Sequence, residues 1–181
     1  MDGHSRRDLF RVTAGAIAAT PLATLRAAVA ADPKFFTPDE YRLADELSEM
    51  IIPTDEHSPG ARAAGVMVYI DRRLAEAFTD EPRKIWRDGL KMIDVYSSTV
   101  NGAPFLKSTP ERRVALLTDL LKNEFKPKTP EEIFMRHVKT ETASVYYSSK
   151  VGIHQEIEYK GNVMLEEFVG YDASLITIKP V

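Results

Sequence analysis

Three times in this chain a threonine is followed by proline and acid: Thr37-Pro38-Asp39-Glu40, Thr109-Pro110-Glu111 and Thr129-Pro130-Glu131-Glu132. In each, the threonine hydroxyl can accept from the first free N–H groups of a helix. Proline takes the first helical position, where its missing N–H costs nothing, and the acid meets the positive end of the helix dipole. Glu40 and Glu132 stand three residues after their threonines and complete capping boxes. A chain with three such starts is committed to helices.

Apolar residues at helical spacing follow each start. The helix from Pro38 places Tyr41, Ala44, Leu47 and Ile51 on one face, and Pro53 stops it. A second, roughly Ala61 to Phe78, presents Ala64, Met67, Ile70 or Asp71, Leu74 and Phe78. Asp80-Glu81-Pro82 opens a third with Trp86, Leu90, Ile93 and Tyr96, closed by the loop Asn101 to Pro104. A fourth, Pro110 to Phe125, bears Val114, Leu117, Leu120 and Leu121, and a fifth, Pro130 to about Ser148, carries Phe134, Val138, Glu141 and Val145. No strand-like alternation is long enough to build a sheet, although Ser174 to Lys179 could form a short extended edge. The expectation is an all-α single domain of about five helices, residues 31–181, with a loop-rich C-terminal segment.

Residues 1–30 read as a separate unit. Ser5-Arg6-Arg7-Asp8-Leu9-Phe10 precedes a stretch of 14 residues without charge, Val12 to Leu25, rich in Gly, Ala and Thr and interrupted by Pro21. Arg26 and the small-residue run Ala27-Ala28-Val29-Ala30-Ala31 follow. This is the order of a secretory signal with the paired arginines of the twin-arginine route, and Ala28-Val29-Ala30 fits cleavage after Ala30. The apolar stretch falls short of the roughly 20 residues that a membrane-spanning helix needs. The alternative is an ordinary amphipathic N-terminal helix that happens to contain Arg6-Arg7. Export to the periplasm is the expectation, with the twin-arginine translocase as a transient partner.

Of the 24 Lys+Arg and 27 Asp+Glu, residues 1–30 hold four and two, so the remainder carries a net charge of −5. That is no electrostatic footprint for nucleic acid, and no basic stripe points to an anionic membrane. About 150 residues make one domain with a true core. Cysteine is absent, which excludes disulfides, Cys-ligated iron–sulfur clusters and c-type haem attachment in this chain. There is no G-x-G-x-x-G and no P-loop to cradle a dinucleotide or phosphates. Twin-arginine passengers usually fold around a cofactor, yet no cofactor site is evident. One resolution is that the chain folds onto a cofactor-bearing partner that lacks a signal and carries it out.

The most site-like segment is the loop Pro53-Thr54-Asp55-Glu56-His57-Ser58-Pro59-Gly60. Asp55, Glu56 and His57 are metal-competent, but adjacent residues rarely converge on one ion. The simpler reading is a helix–helix connection in which Asp55 caps local N–H groups. His137 and Glu141, four apart, share a helix face as a surface ion pair or a polar patch. Tyr146-Tyr147 is either core or an interface anchor. No catalytic nucleophile is set in a recognisable motif.

Ile51-Ile52-Pro53-Thr54-Asp55, then Pro59-Gly60-Ala61, Ala64-Gly65-Val66 and Tyr69-Ile70-Asp71 together resemble the N-terminal signature of the gluconate 2-dehydrogenase subunit 3 family. The C-terminal part is similar too, in Tyr146-Tyr147-Ser148, Tyr159-Lys160-Gly161-Asn162 and Phe168-Val169-Gly170-Tyr171. The resemblance covers about Pro38 to Tyr171 and extends to the twin-arginine signal. Lys160 stands where a glycine is usual, and Asp172 where a proline is usual. The resemblance implies a non-catalytic accessory subunit of a periplasmic sugar or sugar-acid dehydrogenase. Its large subunit is a flavoprotein of the glucose–methanol–choline type holding FAD, and a multi-haem cytochrome c subunit often accepts the electrons. The implied role is export of that signal-less flavoprotein and stabilisation of its fold; the family offers no catalytic residues to carry over. A free-standing periplasmic binding module and a metal-dependent enzyme using His57, His137 or His154 are the alternatives. For an accessory subunit, the features that the helical stripes leave unexplained form the expected interface: Pro53, Asp55, Gly60, Tyr146, Tyr159, Gly161, Asn162, Gly170 and Tyr171.

Overall fold

A computed structural model describes residues 33–56, 58–159 and 161. Among them the chain is all-α: α1 Pro38–Ile51, α2 Gly60–Ala63, α3 Val66–Ala75, α4 Glu81–Asn101, α5 Pro110–Leu121 and α6 Pro130–Ser148. A 3₁₀ turn, Phe105–Lys107, precedes α5, and a π-helical turn, Gly152–Glu156, follows α6. Five of these helices have ten residues or more, as the sequence spacing predicts. None of the described helices is long and apolar enough to cross a membrane.

All three Thr-Pro starts form as expected. Thr37 and Thr129 accept from the N–H groups of Glu40 and Glu132, whose carboxylates reach back to the threonine N–H groups. Thr109 accepts from Arg112 N–H. The second helix differs from expectation. Gly65 adopts the left-handed conformation, φ 70°, and divides it into α2 and α3. It also stops at Ala75, where Arg83 of α4 donates to the carbonyls of Leu74, Ala75 and Ala77 and so caps the end. Phe78, placed on the buried stripe by spacing alone, therefore lies beyond the helix and fully exposed. The fourth expected helix ends at Leu121 rather than Phe125, and Val114 faces outward.

The core lies where α6 packs against α1, α3, α4 and α5, while α1 also meets α2, α3 and α4. Leu43 and Leu47 of α1, Met67 and Ile70 of α3, Leu90 and Ile93 of α4, and Met135 and Val138 of α6 fill it. An edge-to-face aromatic series runs through it, Phe36 to Trp86 at 5.7 Å and Trp86 to Phe134 at 5.9 Å. Burying Trp86 alone is worth about 3–5 kcal/mol against alanine. Among the described residues no buried side-chain polar atom lacks a hydrogen-bond partner.

Candidate functional site

The Pro53–Gly60 loop is held from both of its flanks. Glu49, in the last turn of α1, accepts from Thr54 N–H at 3.2 Å and from Arg62 N–H at 2.8 Å. Within the loop, Asp55 N–H donates to the Ser58 carbonyl at 2.8 Å, and Ser58 N–H returns to Asp55 Oδ1 at 2.7 Å. Ala61 N–H closes the loop on the Ile52 carbonyl at 2.9 Å. Gly60 sits at φ 79°, and a Cβ there would stand 2.7 Å from the Thr54 amide nitrogen, so this position demands glycine. The described part of the loop is thus a rigid connection that keeps Pro53, Thr54, Asp55 and Glu56 exposed.

A hydrogen-bonded series joins this loop to the C-terminal segment. Glu156, as a carboxylate, can only accept, so the Tyr146 hydroxyl donates to it at 3.3 Å. The Ser58 hydroxyl then donates to Tyr146 at 2.7 Å and accepts from Gly60 N–H at 3.2 Å. The series therefore runs in one direction, Gly60 to Ser58 to Tyr146 to Glu156. Burial, seconded by the Glu156 charge, raises the Tyr146 hydroxyl above its ordinary value, while the bond from Ser58 opposes the rise. Tyr146 is fully buried. Of core and interface anchor, its burial places it in the core. Its neighbour Tyr147 points outward, and Tyr159, after the π-helical turn, is half exposed. Gly152 lets that turn close on α6, since a Cβ there would fall 2.1 Å from the Tyr146 carbonyl oxygen.

The structure thus brings Gly60 and Tyr146 together through Ser58, leaves Pro53, Asp55, Tyr159 and Gly161 at the surface, and gives Gly161 a φ of 88°. Arg6, Arg7, Ala30, His57, Asn162, Gly170, Tyr171 and the Ser174 to Lys179 edge lie outside the described residues. Among the described residues no cluster of three His, Asp or Glu side chains could hold a metal ion. Of the two readings of His137 and Glu141, the ion pair between them does not form. Glu141 pairs with Arg73 across the α3–α6 contact, and His137 leans its ring on Trp86 at 5.8 Å. Burial lowers the His137 pKa, and the Arg73 charge adds to this while Glu141 opposes it.

Sequence reasoning did not single out Ser58, Glu49 or Glu156, because their partners lie on other elements. Spacing offers Ile70 or Asp71 for one position of the buried stripe, and the structure buries both. An open groove of about 1090 Å³ also runs along α4 beside α1 and the 3₁₀ turn, floored by Leu43, Leu90, Val95 and Leu106. The family model described as Gluconate 2-dehydrogenase subunit 3 matches residues 38–164, which span every helix among the described residues. No curated protein and no solved structure matches the chain.

Proposed function

The chain belongs to the gluconate 2-dehydrogenase subunit 3 family, a family of subunits of a multi-subunit gluconate dehydrogenase. On that premise we propose that it is the non-catalytic small subunit of a periplasmic FAD-dependent dehydrogenase of sugars or sugar acids. Residues 1–30 direct it through the twin-arginine translocase, and a signal-less flavoprotein of the glucose–methanol–choline type, folded around FAD, travels with it. In such complexes a cytochrome c subunit often takes the electrons onward. The observation that carries the reading is the family match from residue 38 to 164. The Ser58–Tyr146–Glu156 series supports it, because it fastens the exposed loop residues Pro53 and Asp55 to the end of α6 that bears Tyr147 and leads to Tyr159. A surface fixed before binding loses little entropy on docking. This face, with Gly161 exposed nearby in sequence, is the proposed seat of the flavoprotein, and the sequence adds Asn162, Gly170 and Tyr171 to the expected interface.

Purification of the C-terminally tagged chain from the periplasm should bring down a flavoprotein with the absorbance of bound FAD. Replacing Arg6 and Arg7 by lysine should leave both proteins in the cytoplasm. Periplasmic flavoprotein in that double variant would sink the escort role. The α4 groove favours a second reading, a free-standing binding module. That reading requires the chain to purify alone and bind a small molecule.

A further inference from the structure

The connection between α5 and α6, residues 122–129, is tied down along most of its length. Lys122 N–H donates to the Asp119 carbonyl at 3.2 Å, Glu124 N–H to that of Leu121 at 3.1 Å, and Lys126 N–H to that of Asn123 at 2.8 Å. Two acids fasten the segment to α6. Glu124 pairs with Lys139. Glu132 accepts from the Asn123 side chain at 2.9 Å and from the N–H groups of Lys128 and Thr129. The Lys128 N–H and Asn123, aided by the Lys128 ammonium, hold the Glu132 carboxyl below its ordinary value. Within these turns Phe125 is 93% exposed.

A lone exposed phenylalanine calls for no explanation, but its setting here does. Lys122, Lys126 and Lys128 stand three residues before it, one after and three after, and all are exposed. Half-exposed Ile133 follows in the first turn of α6. In the sequence Glu124 interleaves with these lysines, so no basic stripe is legible; the fold separates them by turning Glu124 to Lys139. Phe78 offers the contrast. It is equally exposed in the connection between α3 and α4, yet its charged neighbours in the chain are Glu76, Asp80 and Glu81.

One projecting ring falls far short of the roughly 800 Å² per partner that a stable protein interface buries. A lipid surface asks for less. The ring enters among the headgroups, the ammonium groups meet lipid phosphates, and the bilayer needs no complementary shape. A loop held rigid beforehand loses little entropy on contact. We propose that the α5–α6 connection is a membrane-contact loop, with Phe125 inserted at the headgroup level of an anionic bilayer and Lys122, Lys126 and Lys128 on its phosphates. The contact is peripheral, and none of the described helices is long and apolar enough to cross the bilayer. It requires neither the flavoprotein nor the export route.

The test uses the full chain and vesicles of phosphatidylglycerol and phosphatidylcholine with brominated acyl chains, which quench tryptophan on contact. Trp86, the one tryptophan of the chain, is buried in the core and gives the background. Phe125→Trp should lose much of its added fluorescence on these vesicles and none on brominated phosphatidylcholine alone, and the loss should fade as salt screens the headgroups. Phe78→Trp should lose none, which controls for attachment elsewhere in the chain. Adding Lys122→Glu, Lys126→Glu and Lys128→Glu to Phe125→Trp should raise the lipid concentration needed for quenching roughly a hundredfold, at a nearly unchanged melting temperature. Survival of the quenching in that charge-reversed variant overturns the role of the lysines. Equal quenching at positions 78 and 125, or none at 125, overturns the lipid contact. Loss of flavoprotein capture by the charge-reversed variant, with no quenching at 125, assigns the loop to an acidic protein surface instead.

Discussion

Gly89 lies in the middle of α4, where helix propensity argues for almost any other residue. Replacing it by alanine should add about 1 kcal/mol of stability if the surroundings were empty. They are not. A Cβ at this position would stand 2.2 Å from both Cδ2 and Cε2 of Phe134 and 2.5 Å from its Cγ. Ordinary carbon contacts are about 3.5–4.0 Å. The Phe134 ring would have to retreat by more than 1 Å, yet it is buried and held edge-on against Trp86. Overpacking a filled core costs about 1–3 kcal/mol and sometimes more, and a clash with an aromatic ring lies at the upper end. The net expectation for Gly89→Ala is a loss of about 2 kcal/mol. In a domain of about 150 residues this lowers the melting temperature by roughly 4–8 °C. Thermal and urea unfolding followed by circular dichroism read it directly. A second substitution, Phe134→Leu, should be less harmful in the Gly89→Ala background than alone, because the smaller side chain relieves the clash. An unchanged or raised melting temperature for Gly89→Ala would refute the close approach of α4 and α6 on which this packing argument depends.

Tyr146→Phe keeps the ring and removes the hydroxyl between Ser58 and Glu156, and should cost about 1–2 kcal/mol in urea unfolding. Tyr159→Ala should leave the melting curve almost unmoved but weaken capture of the flavoprotein in a pull-down, about thirtyfold if the tyrosine is a central anchor. His137 has a folded-state pKa below its ordinary 6.5, so the unfolded chain binds the proton more tightly. Its contribution to stability is therefore complete above pH 6.5 and shrinks as the pH falls through that value toward the lowered one. The melting temperature of the wild type should drop more between pH 7.5 and 5.5 than that of His137→Gln, and parallel curves would mean the imidazole is not the group responsible.

Sequence alone determined what acts within four or five residues. The Thr-Pro-acid starts are self-contained, since each cap finds its partner inside the helix it opens, and α1, α5 and α6 begin where those starts place them. The stripe Trp86, Leu90 and Ile93 was legible for the same reason, because period and burial coincide along one helix. Tertiary structure decided whatever depends on a distant partner. Spacing could not tell that Gly65 would break a helix, or that Arg83 would close α3 and strand Phe78 in solvent. Nor could it tell that Glu141 would choose Arg73 over its own neighbour His137. The candidate site divides along the same line. Pro53, Asp55, Gly60 and Tyr146 were visible as residues, but the role of Tyr146 rests on Ser58, 88 positions away. Asp71 acquires its meaning only from backbone groups on an arm 35 to 37 positions earlier. A hydrogen bond has no signature in a one-dimensional pattern unless chain geometry alone brings donor to acceptor; between separate helices, only the packing of the whole core does so.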